Sequence, residues 1–556
     1  MKWLNENSRK FLAKDYINDG STAEERIRFL AEHAEKILDI PGFADKFYGY
    51  MSEGYYSLST PVWVNFGFAK GLPISCFGSY VADTMGDILY TTAEVGMMSK
   101  KGGGTSAFFG DLRPRGAAIT NNGTSSGPVH FMRLFDTVTN VVSQGSTRRG
   151  HLAAYMPVEH PDIDEFLNVG TEGDPIQGLT HAVTVTDKWM QAMADGDAEK
   201  RAVWAKVIKR RTEIGYPYIL FSDNVNNNTV EVYKDKHKIY ASNLCSEIAL
   251  PSSDKWSFVC CLSSMNVLYY DQWKNTDAVE TLTYFLDAVM TDFINKLEGY
   301  RDSPDAERRQ EFYFMEKAYN FAVENRAIGL GALGWHSYLQ SKMIAFESQE
   351  AAVLNVEVFK FIKDKAYAAS AEMATKYGEP TMLKGIGRRH TTLCAVAPTT
   401  SSAFILGQVS QSIEPVWSNC YVKDIEKMKV TITNPFLEKL LEEKGKNTKE
   451  VWQDIRDKDG SVQHVDFLTQ EEKDVFKTFA EIDQYAIIDQ AGARQMFIDQ
   501  SQSLNLMINP KTTSAKEINA LYIDAWKNGV KTLYYQHSMN AAQVLTRKKV
   551  CVACES

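Results

Sequence analysis

A chain of 556 residues, 44% hydrophobic and 24% charged, is neither disordered nor fibrous, and it can bury an ordinary core without staples. Its net charge of -9 excludes a protein that coats nucleic acid, yet leaves room for small anions held by local donors. Eight cysteines are too few for a disulfide scaffold, and neither a signal-type start nor a membrane-length apolar run is present, so a cytoplasmic protein with reduced thiols is expected.

Residues 21–38 predict an amphipathic helix. Thr22 and Glu25 have the capping-box spacing, and Ile27, Leu30, Ala34, Ile37 and Leu38 share one face. Pro41-Gly42 ends it, and a second helical stretch runs to about Ser57. Residues 1–58 therefore read as a helical N-terminal region. From 59 to 540 no linker interrupts the chain. Short apolar runs at 80–81, 153–156, 182–185, 218–221 and 259–262 alternate with helical stretches at 187–194, 279–297 and 351–377. That mixture predicts one large α/β body. Residues 436–480 are charged and helical, a surface insertion. Residues 541–556 are polar and basic and read as a flexible tail.

Five short motifs could carry chemistry. Lys101-Gly102-Gly103-Gly104 lets backbone amides approach an anion, but it lacks the ending of a P-loop, and a plain turn is the alternative. Pro398-Thr399-Thr400-Ser401-Ser402 places four hydroxyls at the start of an apolar helix, which suits a phosphate or an ordinary N-cap. In an extended segment Asn243, Cys245 and Glu247 would share one face. A neighbouring carboxylate disfavours a thiolate, so sulfur there would act other than as an anion; a buried structural cysteine is the alternative. Cys551 and Cys554 cannot fill a zinc site alone, but they can cycle between dithiol and disulfide, with Arg547-Lys548-Lys549 favouring thiolate. A metal shared across a dimer is the other option. Tyr534-Tyr535 taken alone reads as structural.

In chain order, Ser59-Thr60-Pro61, Ser75-Cys76, the 102–104 glycines, Asn243 to Glu247, Cys260-Cys261-Leu262-Ser263, Pro398 to Ser402, Ile498 to Asn505, Tyr534-Tyr535 and the tail cysteines resemble the large, catalytic subunit of class I ribonucleotide reductases. The resemblance covers the chain from Thr60 to the tail. It implies a ten-stranded α/β barrel of two five-stranded halves, with the catalytic cysteine on a central finger loop. It implies reduction of ribonucleoside diphosphates to 2′-deoxyribonucleoside diphosphates for DNA precursor synthesis. Cys245 would be the thiyl radical that takes the 3′-hydrogen. Glu247 would be the base on the 3′-hydroxyl, and Asn243 would orient both. Cys76 and Cys260 would form the reducing pair; Cys260 is chosen over Cys261 on the family pattern. Cys551 and Cys554 would re-reduce that pair and be recharged by thioredoxin or glutaredoxin.

The same resemblance assigns Thr60, Ser75, Gly103 and Pro398, Thr399, Thr400, Ser401 and Ser402 to the ribose and diphosphate. Tyr534 and Tyr535 match the radical-relay dyad. They imply a separate ferritin-like small (beta) subunit that supplies the radical, with no covalent cofactor and no metal site in this chain. The dyad sets aside the adenosylcobalamin-dependent class II, the nearest alternative. Asp83, Arg113, Gln144 and Arg148 match the region that binds dNTP or ATP effectors with Mg2+, at the interface of a homodimer. Only 75 residues precede Cys76, so the ATP-cone of many relatives does not fit. Overall control by dATP is expected to be absent or to sit on the partner subunit.

Overall fold

The computed structural model describes residues 1–74, 76–144, 148–425, 428–509 and 512–538. Its strands are β1 (Tyr56–Leu58), β2 (Cys76–Tyr80), β3 (Gly104–Phe108), β4 (Ser143–Gln144), β5 (Arg148–Arg149), β6 (Leu152–Pro157), β7 (Thr180–Val185), β8 (Tyr218–Phe221), β9 (Phe258–Asn266), β10 (Ile328–Leu333), β11 (Cys420–Ile425), β12 (Met428–Thr433), β13 (Leu506–Ile508), β14 (Thr532–Leu533) and β15 (Gln536–Ser538).

Strands β2, β3, β6, β7 and β8 pair in that order, all parallel. Helices between them cover the outer face, so both faces are buried and the strands read as continuous apolar runs rather than alternating ones. At one edge β2 meets β9 antiparallel, and at the other β8 meets β14 antiparallel. β9 pairs parallel with β10. Beyond β10 the second half continues as two irregular extended segments. Single parallel bridges join Leu330 to Cys394 and Val396 to Gln502. Thr532 Oγ1 then lies 2.9 Å from Gln502 O, which closes the ring onto β14.

The expected ten-stranded barrel is thus present, with eight regular strands and two segments held by bridges. The reason for the irregularity is local. Side chains in 500–503 bond to backbone themselves: Gln500 Nε2 to Ile328 O at 3.2 Å and Gln502 Nε2 to Ala491 O at 3.0 Å. Such bonds compete with a ladder.

Inside the ring lies a distinct apolar cluster that includes Phe108, Tyr155, Tyr218, Leu244 and Tyr534. Tyr218 and Leu220 both belong to it, whereas Ile219 and Phe221 join the outer core, as period-two alternation requires. Gly78 permits the close approach of β2 and β9, because a Cβ there would lie 2.0 Å from the Phe258 ring.

The N-terminal helices Glu6–Asp15, Ala23–Leu38 and Phe43–Ser52 pack against the body. The capping box at Thr22 and Glu25 forms as expected. Ile27, Leu30, Ala34 and Leu38 are buried; Ile37 is only partly so. Residues in 436–480 have a small core of their own, including Leu437, Leu441, Ile455 and Phe476.

Asp287, on helix Ala278–Arg301, fastens the second half. Its Oδ1 accepts from Arg326 Nη2 at 2.9 Å, Arg389 Nε at 3.1 Å and His390 Nε2 at 2.9 Å. Burial alone would raise this carboxyl; Arg326, His390 and Arg389 outweigh it and hold it far below the usual carboxylate range. Removing one member of such a group leaves buried charge uncompensated. Asp287→Ala is therefore expected to cost about 3–5 kcal/mol, read as a fall in the urea denaturation midpoint.

Candidate active site

Residues 241–250 enter the barrel as a loop, not as the extended segment that sequence spacing suggests. The Ser246 amide bonds back to Asn243 O at 3.4 Å, and Ser246 takes a left-handed φ of 65°. The cause is the Asn243 side chain. Its Oδ1 accepts from the amides of Glu247 (3.1 Å) and Ile248 (3.2 Å), which caps the turn and puts Cys245 at its tip. Asn243, Cys245 and Glu247 still converge on one space, by a tight turn instead of a pleat.

The barrel holds this loop by its backbone. Tyr155 donates its hydroxyl to Asn243 O at 2.8 Å, Thr532 Oγ1 to Ser246 O at 2.8 Å, and the Ser501 amide to Glu247 O at 2.9 Å. Gln500 Oε1 accepts the Ala249 amide at 3.1 Å, and Ser503 Oγ donates to Cys245 O.

Cys245 and Glu247 open onto a cleft that Thr60, Cys76, Asn243 and residues 398–402 also line. Cys76 and Cys260 stand directly opposite each other in the β2–β9 register. Directly opposed residues of an antiparallel pair have Cα atoms about 4.5–5.5 Å apart, inside the range a disulfide spans. No disulfide joins the two here. Cys261 points to the other face by alternation and pairs with Ile328 of β10. Asn243 Nδ2 lies 3.5 Å from Cys76 Sγ, and Cys76 Sγ lies 4.0 Å from Glu247 Oε1. Gln500 Nε2 lies 3.3 Å from Cys260 Sγ.

Burial pushes the Glu247 carboxyl up to about 7, with donors from Asn243 and Ser503 opposing the rise. Burial also carries the Cys260 thiol well above its ordinary value. That burial holds the Cys260 sulfur as thiol.

Across the cleft, Thr399 has a left-handed φ of 55° and begins helix Thr400–Ile405, which no side chain caps. Thr399 Oγ1 accepts the Ser412 amide at 2.9 Å, and Thr400 Oγ1 donates to Gln411 at 3.3 Å. Thr60 Oγ1 lies 3.1 Å from the Tyr16 hydroxyl. The glycine on the wall is Gly104, not Gly103; Gly103 backs onto the Phe77 ring, where a Cβ would lie 2.5 Å away. Ser75, Cys551 and Cys554 lie outside the described residues.

Tyr534 and Tyr535 have ring centroids 4.4 Å apart, and Tyr218 touches both at 4.7 and 5.1 Å. They share the apolar barrel interior with Cys245. Asp83 and Arg113 form an ion pair at 2.7 Å beside the start of helix Met85–Lys100. Gln144 and Arg148 are register partners in the β4–β5 hairpin; their side chains lie outside the described part. Tyr155, Tyr218, Gln500 and Ser503 had no role in the sequence reading. The first two occupy inward positions of strand runs, and the others sit in the 498–505 motif.

The ribonucleotide reductase barrel-domain family matches residues 74–201, 193–385 and 380–536. A putative ribonucleoside-diphosphate reductase large subunit of Frog virus 3 is 36% identical over 517 residues, covering 89% of this chain and 88% of that protein. The ribonucleoside-diphosphate reductase large subunit of Invertebrate iridescent virus 3 is 33% identical, covering 96% and 92%. Among solved structures, the Actinobacillus ureae class Id ribonucleotide reductase alpha subunit superposes with a TM-score of 0.90 at 54% identity, covering 98% of this chain and 99% of that one.

Glu247 makes stability depend on pH. The folded carboxyl titrates near 7 and the unfolded one near 4.5, so between those values the folded state binds more protons and stability falls as pH rises. The loss amounts to about 3 kcal/mol at most. Urea titrations across that window should show a shallower fall for Glu247→Gln than for the parent chain.

Proposed function

The chain belongs to the ribonucleotide reductase large subunits, and on that premise we propose that its cleft holds a ribonucleoside diphosphate against Cys245 for thiyl-radical reduction. The protein is the catalytic subunit of a ribonucleoside-diphosphate reductase, and it works with a small subunit. The observation that carries the site assignment is the register of β2 and β9. It sets two thiols opposite each other, Cys76 beside Glu247 on the cleft that Cys245 also lines and Cys260 buried behind it.

Cys245, as a thiyl radical, takes the 3′-hydrogen and returns it to the reduced sugar at the end of the turnover, and Glu247 takes the 3′-hydroxyl proton. A carboxyl near 7 is matched to that task, since it is part-ionised at neutrality and binds a proton readily. Asn243 holds the turn and reaches Cys76, so one amide links base and reductant. Losing the 2′-hydroxyl as water consumes two electrons; Cys76 and Cys260 supply them as two thiols become one disulfide. Cys551 and Cys554 then reduce that disulfide by exchange, and thioredoxin or glutaredoxin recharges them. Thr60 and the hydroxyls of 399–402 hold ribose and diphosphate, with Gly104 giving close backbone approach; Ser75 joins them on resemblance alone. Donors from several distant segments suit a positioning task. Tyr534 and Tyr535 relay the radical from the small subunit to Cys245. The 54% identity to a class Id subunit favours that subtype.

A homodimer fits the surface. Met85 and Leu89 on helix Met85–Lys100 and Leu134 and Val141 on helix Pro128–Val141 are large apolar residues, 40–76% exposed, on packed neighbouring helices. The Asp83–Arg113 pair and the β4–β5 hairpin border the first of these helices, which supports an effector site there for a nucleotide with its Mg2+.

CDP reduction by the chain with its small subunit and a dithiol tests the assignment. Cys245→Ser should be inactive. Cys260→Ser should lose multiple turnover, whereas Cys261→Ser, facing away from the cleft, should keep activity within about twofold. Adenosylcobalamin in place of the small subunit should support none. Leu89→Arg with Val141→Arg should shift sedimentation velocity from dimer to monomer.

A further inference from the structure

Glu414 is buried, and the chemistry assigned above does not use it. Trp417 donates Nε1–H to its Oε2 at 3.0 Å, and Asn505 donates Nδ2 to its Oε1 at 2.6 Å. The same Asn505 accepts the Tyr535 amide at 3.0 Å. One side-chain amide therefore ties the carboxylate to the backbone of the outer tyrosine.

The rings complete the connection. Trp417 meets His537 edge-on at 4.5 Å, His537 lies 5.6 Å from Tyr535, and Tyr535 lies 4.4 Å from Tyr534. Trp417 and His537 are half-buried, Tyr535 is 9% exposed and Tyr534 2%. Four aromatic rings thus run from the surface inward, each touching the next. The outer end is rigidly built. The Val416 amide donates to Nδ1 of buried His336 at 2.9 Å, and the Phe479 amide donates to Val416 O at 2.8 Å. Burial raises Glu414 to about 7, with its donors Trp417 and Asn505 opposing, so near neutrality the group can accept a proton.

We propose that Trp417 is a further redox-active residue, the outermost ring of the relay, with Glu414 as the acceptor of its indole proton. The proposal rests on the relay role of Tyr534 and Tyr535. A one-electron oxidant carried by the small subunit takes one electron from Trp417, and the Nε1 proton moves along the hydrogen bond to the Glu414 carboxylate. Tyr535 then gives one electron to the Trp417 radical through the His537 ring. Glu414 returns its proton to Nε1, and the phenolic proton of Tyr535 leaves to water at the rim. Indole and carboxylate end as they began. One electron has passed outward, and one proton has gone to solvent.

The test is CDP reduction by the full chain with its small subunit, with subunit affinity measured separately. Trp417→Phe keeps a ring against His537 and Phe479 but removes the oxidisable indole. At saturating small subunit its kcat should fall about tenfold or more, with affinity unchanged. Trp417→Tyr, which restores an oxidisable ring, should recover most of that loss. Three results would overturn the proposal: Trp417→Phe with full kcat beside an inactive Tyr535→Phe, a loss cured by more small subunit, or Trp417→Tyr no better than Trp417→Phe. An active Tyr535→Phe would instead remove the relay itself, and this extension with it.

Discussion

A polar loop inside an apolar barrel is the constraint from which the rest of this structure follows. Buried backbone groups must find partners, or each costs free energy comparable to a lost hydrogen bond. The finger at 241–250 meets that demand from three directions: Tyr155 on β6, Thr532 on β14, and the segment Gln500–Ser503. That last segment explains the least regular part of the barrel. Its side chains and amides are committed to the finger and to neighbouring carbonyls, so it joins the ring by bridges instead of a full ladder. Fold regularity is given up where the loop needs holding.

Burial sets the electrostatics of the same region. Glu247, Glu414 and Glu94 are fully buried and hydrogen-bonded, and burial raises each to about 7. Among the described residues none of the three is in an ion pair. A carboxyl kept in that state can exchange a proton near neutrality without carrying a permanent charge into a low-dielectric site. The Cys260 thiol, raised by the same desolvation, stays protonated. An interior that discourages ions suits neutral sulfur and hydrogen-atom chemistry.

Much of this was legible in the sequence, and the failures have physical causes. Buried parallel strands announce themselves as apolar runs, and the Thr22–Glu25 capping box forms as its spacing requires. The cleft residues Cys76, Asn243, Cys245, Glu247 and 399–402 come together as the motif order implies. The finger loop that the resemblance implies does form; the extended reading of 243–247 does not hold, because Asn243 caps a turn that alternation rules cannot anticipate. Gly104 and not Gly103 lines the cleft, and spacing within a glycine run does not say which member faces the wall and which backs onto Phe77. The choice between Cys260 and Cys261 came from family pattern alone; strand register supplies its geometric reason. Glu414, Trp417 and His537 were invisible because their relation to Tyr535 is wholly tertiary.

The two halves of the barrel are clasped at two short antiparallel seams, three register pairs at β2–β9 and two at β8–β14. Cys76 and Cys260 sit in the first. On the proposed chemistry, each catalytic cycle adds a disulfide to that hydrogen-bonded clasp and then removes it. The barrel is then a ring with a latch, stiffer after each reduction of substrate than before it. Recharging by external dithiols restores its compliance as well as its electrons.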